Sequence, residues 1–262
     1  MRLATFLSPD SSDPRAGVVR GDLLVAFADE RLSVLDVLGE PGSAVADGPS
    51  FALAEVTLLA PVPRPRAIFG IGMNYADHVA ELGATAPKEP LVFMKLPSSA
   101  ASPGAPVPCP EVVKRLDYEG ELAVVMGPGG QVAGYAVADD ITARDLQGRE
   151  PQWTRAKGAD AFCPYGPWIT TADEIPDPYA LRVRTWVNGE LRQDAPTSNL
   201  IFKIPRLIAF ISQTCTLEAG DLILTGTPGG VGMGLDPARF LGSGDVVRIE
   251  IEGLGAIEHP IA

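Results

Sequence analysis

Cysteine, histidine and basic residues are all scarce in this chain of 262 residues. Its three cysteines, Cys109, Cys163 and Cys215, are far apart and form no C-x-x-C pair. Such a set supplies neither a disulfide framework nor zinc-ligand spacing. Lys and Arg total 21 against 33 Asp and Glu, a net charge of −12. That balance argues against nucleic acid and anionic membranes as partners, because both require a basic footprint. No run of about 18 apolar residues occurs. The opening stretch MRLATFLSPDSSDPR turns polar too early to hold a signal-peptide apolar core. The expectation is a reduced, cytoplasmic protein without repeats or low-complexity tracts.

What is abundant is glycine (28) and proline (25), spread along the chain as turns between short strands would require. Residues 1–60 read as a small N-terminal α+β unit. AGVVRGDLLVAF suggests a hairpin about Gly21, RLSVLDVLGE a short helix ending at Gly39, and EVTLLA a strand. The stiff segment PVPRPR, from Pro61 to Arg66, then marks a boundary, and residues 61–262 form the larger domain. Beyond it, RAIFGIG, EPLVFMK, GELAVVMG, AGYAVAD, LRVRTWVNG, GDLILTG and DVVRIEIEG are strand candidates. IPRLIAFISQT is the clearest helix, with Pro205 in its first turn. Strands outnumber helices without a βαβ rhythm, so a mixed, mainly β architecture is expected.

LDYEGELAVV, from Leu116 to Val125, alternates Asp117, Glu119 and Glu121 with uncharged residues before becoming apolar. On one continuous strand the three acids would share a face. A solvated edge or surface pairing with Lys114 or Arg115 would account for them. So would a metal site, since Glu119 and Glu121 would lie roughly 7 Å apart at Cα. Hard oxygen ligands select Mg²⁺, Mn²⁺ or Ca²⁺. VADDITARD offers a third acid in Asp139, Asp140 or Asp145.

Of the two histidines, His259 lies three residues from the C-terminus and is expected to be exposed. His78 lies in GIGMNYADHVAELGA, which reads as a short helix with Asn74 as N-cap and Gly83 at its end. His78 and Glu81 share a helix face, either as an incidental pair or as a general-base dyad. Flanking Gly70, Gly72 and Gly83 suit a mobile lid. LILTGTPGGVGMG lacks the Lys-Ser/Thr of a P-loop and opens no long helix, which argues against nucleotide motifs. It is either a plain connection or a Thr-Gly-Thr-Pro turn whose hydroxyls and amides face a small anion.

Taken in order, NYADHVAE, FMKLPSS, DYEGELAVVMG, GYAVADDITARDLQ, WTRAKGADAFCPYGPWI, VNGELRQ, LTGTPGGVG and FLGSGDVVRIEIEGLG resemble the fumarylacetoacetate hydrolase family from Pro61 to the C-terminus. The resemblance implies a β-roll or sandwich catalytic domain, a homodimer, and one Mg²⁺ or Mn²⁺ on Glu119, Glu121 and Asp140. It also implies an acid–base pair in His78 and Glu81, a catalytic Lys157, and substrate contacts from Arg144, Gln147 and Thr227. The connection between Gly127 and Gly134 is shorter than the family pattern. The expected activity is hydrolysis of a C–C bond in a 2,4-dioxo acid (an acylpyruvate) by water activated at His78–Glu81. The alternatives are isomerisation of a 2-hydroxyhepta-2,4-diene-1,7-dioate type substrate, decarboxylation of an oxaloacetate-type acid, or non-catalytic binding of a 2-oxo acid.

Overall fold

Seven consecutive buried residues, Gly120–Met126, form the central strand of the protein. A computed structural model describes residues 1–38 and 45–262. Alternation sends Leu122, Val124 and Met126 into one apolar cluster and Ala123 and Val125 into another, so both faces are covered. The strand belongs to a twelve-stranded mixed sheet, between Val132–Asp139 and Leu222–Leu224, both antiparallel to it. Ile68–Gly72 then runs parallel to Leu222–Leu224 and pairs with the edge strand Leu91–Lys95. In the other direction lie Cys163–Thr171 and the N-terminal strand Arg2–Leu7. Arg15–Arg20 and Thr57–Leu59 both pair with that N-terminal strand, so the sheet runs on through the first sixty residues.

Each face of the central strand has its own cover. Leu3, Val18, Phe27 and the helix Val34–Leu38 pack on the Ala123 and Val125 side. A four-stranded sheet of Arg182–Val187, Glu190–Pro196, Val246–Ile251 and Gly255–Pro260 presses Val183, Val247, Ile249 and Ile257 into the other cluster. Strands Arg182–Val187 and Val246–Ile251 bury every second residue, as a sheet covered on one face should. The two layers meet closely at Gly120. Its N–H donates to Gln193 Oε1 at 3.0 Å, and a Cβ there would overlap Thr185 Oγ1.

All seven strand candidates beyond Pro61 are strands, and Arg15–Arg20 with Leu23–Ala26 forms the expected hairpin, with Gly21 at φ +58°. The helix Ile204–Ile211 carries Pro205 in its first turn. Residue Gly39, the expected end of the Val34–Leu38 helix, lies outside the described residues. LDYEGELAVV is not one strand: Leu116–Asp117 pairs with Thr142–Ala143, and the chain changes partner before Gly120. Pro128, Gly129 and Gly130 close the short connection after the central strand, both glycines with positive φ and Gly127 N–H bonded to Gln131 O at 2.7 Å. Cys163–Thr171 is a strand that periodicity alone does not announce, because Pro164, Gly166 and Pro167 interrupt it. Among the described residues no helix is long and apolar enough to cross a membrane.

The close contact at Gly120 gives a direct test. Gly120→Ala is expected to cost about 1–3 kcal/mol by overpacking the two layers, read as a lower urea midpoint with unchanged m.

Candidate active site

Where the chain turns from Leu116–Asp117 into the central strand, three acids meet. Glu119, Glu121 and Asp140 each offer a carboxylate oxygen, and these atoms lie within 4.8 Å of one another, all three residues being buried. Asp140 arrives because Val132–Asp139 is the antiparallel partner of the central strand, with Gly120 opposite Asp139. Lys157 Nζ stands among these acids, 2.6 Å from Glu119 Oε2 and 2.6 Å from Asp140 Oδ2. Lys95, whose role the sequence reading overlooked, donates to Asp140 Oδ1 at 2.6 Å and also to the carbonyl oxygen of Lys157. Arg144 bonds Asp117 Oδ2 through Nε at 2.8 Å and Glu119 Oε1 through Nη1 at 2.6 Å, while Nη2 is buried with no partner among the described residues. Gln147 Oε1 accepts from Arg144 Nη1 at 3.1 Å.

The charge states follow from these neighbours. Burial opposes ionisation of Glu119, yet Lys157 and Arg144 hold its carboxyl below the usual range. Burial pushes Glu121 well above that range, and the charges of Asp140 and Glu119 add to the shift. Glu121 has no ion-pair partner among the described residues; it accepts only the Gly226 N–H, at 2.6 Å. For Lys157, burial works against the charge, but Asp140 and Glu119 keep the ammonium above its ordinary value.

The glycine-rich run serves these acids directly. Gly226 N–H goes to Glu121, Gly230 N–H to Glu81 Oε1 at 2.8 Å, and Gly232 and Met233 N–H to Asp117 at 2.7 and 3.1 Å. Of the amides in the Thr-Gly-Thr-Pro turn, Gly226 is thus committed to Glu121 and Thr225 to the Leu122 carbonyl oxygen, because buried polar groups need partners. Thr227 Oγ1 accepts from Gln193 Nε2 at 2.8 Å and donates to Gly120 O at 3.0 Å, which ties this run to both sheets.

The helix Ala76–Glu81 brings His78 and Glu81 over the site, with His78 Nδ1 3.2 Å from Glu81 Oε2. His78 is buried. Asn74 is not the N-cap. Its amide donates to Thr225 O at 2.8 Å and Phe202 O at 3.1 Å, anchoring the segment before the helix. His259 is not exposed either: its strand pairs into the small sheet, and Nε2 lies 3.0 Å from Asp139 Oδ2 with both side chains fully buried. Asp139 Oδ1 accepts the Glu119 N–H at 2.9 Å, so this pair fixes the backbone of the acid cluster.

His78, Lys157, Glu119, Arg144, Gln147 and Thr227 line one pocket of about 200 Å³, together with Ile71, Gly72, Met73, Leu82, Trp153 and Met233. Tyr75 is buried away from that lining. A larger hollow of about 450 Å³, between Leu96, Val112 and Ala159, shares no residue with it.

Residues 67–262 match the family model described as fumarylacetoacetate (FAA) hydrolase C-terminal. The chain belongs to the fumarylacetoacetate hydrolase family. It is 40% identical to the mitochondrial oxaloacetate tautomerase fahd2 of Xenopus laevis, across all of this chain and 90% of that protein. It is 46% identical to the oxaloacetate tautomerase YisK of Bacillus subtilis, across 80% of this chain and 75% of that one. Among solved structures, 5-carboxymethyl-2-hydroxymuconate delta-isomerase from Mycobacterium smegmatis superposes with a TM-score of 0.83 at 36% identity, over all of this chain and 99% of that one. A fumarylacetoacetate hydrolase from Exiguobacterium antarcticum superposes at 0.86 with 35% identity and the same coverage.

The donor set of this family member fits a divalent cation. Asp117, Glu119, Glu121, Asp139 and Asp140 are buried here beside Lys95, Lys157 and Arg144, so the carboxyl groups outnumber the Lys and Arg side chains that face them. Lys157 is a single positive charge standing among acids that can take two, and all the donors are hard oxygens. Mg²⁺ or Mn²⁺ at about 100 times its Kd is expected to stabilise EDTA-stripped protein by about 2.7 kcal/mol, roughly 5–10 °C in Tm. Glu121→Gln should remove most of that shift. Thermal melts with and without metal check both statements.

Proposed function

We propose that this chain catalyses metal-assisted keto–enol tautomerisation of a short 2-oxo diacid of the oxaloacetate type. The observation that carries the reading is His78, backed by Glu81, lining the same small pocket as Lys157 and Glu119. Two relatives of high coverage are named oxaloacetate tautomerases, which favours proton transfer over the C–C hydrolysis expected from the sequence.

The reaction breaks a C3–H bond and forms an O–H bond on the C2 oxygen. In the tautomer that donates Nδ1–H to Glu81, His78 has a free lone pair on Nε2 with which to accept a proton. His78 takes the C3 proton, and the electron pair left behind becomes the C2–C3 double bond while charge moves to the C2 oxygen. Lys157, whose side chain lines the same pocket, stabilises that oxygen as a charged donor without giving up its own proton. The imidazolium then returns the proton to the oxygen, which completes the enol and restores the enzyme. A divalent cation on Glu119, Glu121 and Asp140 supplies Lewis-acid polarisation of the 2-oxo acid when bound. Arg144, with one guanidinium nitrogen unpartnered, receives a carboxylate, and Gln147 keeps its side chain in place.

The His78–Glu81 dyad equally suits activation of water, and one structural neighbour is named a fumarylacetoacetate hydrolase, so acylpyruvate hydrolysis is the second reading. Product analysis by NMR on metal-loaded protein separates them. Faster enol–keto interconversion of oxaloacetate supports tautomerisation, whereas pyruvate plus a carboxylic acid from an acylpyruvate, without that acceleration, supports hydrolysis. His78→Ala is expected to lower kcat about 10²–10⁴-fold while the metal-induced rise in Tm persists. Loss of both together would place His78 in the fold and not in the chemistry.

A further inference from the structure

We propose that Trp153 sets the length of substrate this pocket accepts, favouring a four-carbon 2-oxo diacid over longer ones; the inference rests on the tautomerase reading above. Trp153 immediately precedes the helix Thr154–Lys157, and its carbonyl accepts the Lys157 N–H at 2.9 Å. It therefore stands one helical turn from Lys157, and both side chains line the pocket.

The indole is seated by missing side chains. Gly70 and Gly72 are two residues apart on the strand Ile68–Gly72 and so present the same face. A Cβ on Gly70 would overlap the Phe93 ring, and one on Gly72 would come within 3.0 Å of the Trp153 ring. Phe93 and Trp153 fill that groove edge to face, with centroids 5.5 Å apart, and Lys157 Nζ lies 4.9 Å from the Phe93 ring centre. The resulting aromatic wall is continuous with the lysine at the acid cluster.

The consequence is one of size and charge. The pocket, about 200 Å³, falls below the roughly 300–1,000 Å³ typical of sites for drug-sized ligands. Arg144 and Lys157 are the only Arg or Lys side chains among its lining residues. Trp153, Leu82, Met233, Met73 and Ile71 make up its apolar wall. Past those two cations the lining is this apolar wall with His78, Glu119, Gln147 and Thr227, so a carboxylate reaching beyond them would lose hydration with no further Lys or Arg to receive it. A short diacid keeps both ends beside the cations.

The test is deuterium incorporation at C3, followed by NMR above the uncatalysed rate, for oxaloacetate and 2-oxoadipate on Mg²⁺-loaded wild type, Trp153→Ala and Trp153→Phe. The quantity read is the ratio of kcat/KM for 2-oxoadipate to that for oxaloacetate, compared between proteins, so that intrinsic C–H acidity cancels. Trp153→Ala is expected to raise this ratio about tenfold or more, with Trp153→Phe between it and wild type. If the alanine variant does not fold, the phenylalanine variant and Trp153→Leu decide the matter by the same ratio. An unchanged ratio, including an equal loss on both substrates, overturns the role of Trp153 while leaving the tautomerase reading intact. No catalysed exchange of either substrate by the wild type overturns the tautomerase reading and this inference with it.

Discussion

The constraint on which the rest depends is the burial of Glu119, Glu121 and Asp140 within reach of one another. Each buried ion costs several kcal/mol in lost hydration, so a cluster of three persists only if the surroundings return charge and hydrogen bonds. The protein returns both. Lys157 and Lys95 grip Asp140, Arg144 joins Asp117 to Glu119, and Gly226 gives its N–H to Glu121. Glu121 is left with that one donor and no ion-pair partner among the described residues, and a divalent cation would supply the missing charge.

Much of the architecture can be understood as support for that cluster. The central strand is buried on both faces, which fixes its register and hence the placement of Glu121 at its start. Gly120 lets the small sheet come close enough for Gln193 to bond the strand and the Thr227 turn together. The glycine-rich run then carries Glu81 on one of its amides, so the helix bearing His78 is docked through the residue that orients the imidazole. A single carboxylate thus joins the glycine-rich run to the imidazole of His78.

The parts legible in the sequence were those with a local pattern. Alternation singled out Glu119 and Glu121, helical spacing paired His78 with Glu81, and apolar runs located the strands. The motif order narrowed the third acid to Asp140. Contacts made only by tertiary structure were not legible. Lys95 reads as the end of an ordinary edge strand, yet it is one of the most deeply buried cations. His259 sits near the C-terminus, where exposure is the usual outcome, but Gly255–Pro260 is paired along its length and carries the imidazole inward to Asp139. The amides of Gly226, Gly230 and Gly232 have no sequence signature for the acceptor they meet. Glycine announces that a backbone can approach closely and leaves open what it approaches.

The most direct test of the account is anomalous diffraction from crystals of the protein grown with Mn²⁺. One strong peak bounded by carboxylate oxygens of Glu119, Glu121 and Asp140, with Lys157 displaced from its place among them, is the predicted result. Lys157 still bridging Glu119 and Asp140 at saturating Mn²⁺, with no peak there, would contradict it: the cluster would then be a salt-bridge network complete in itself.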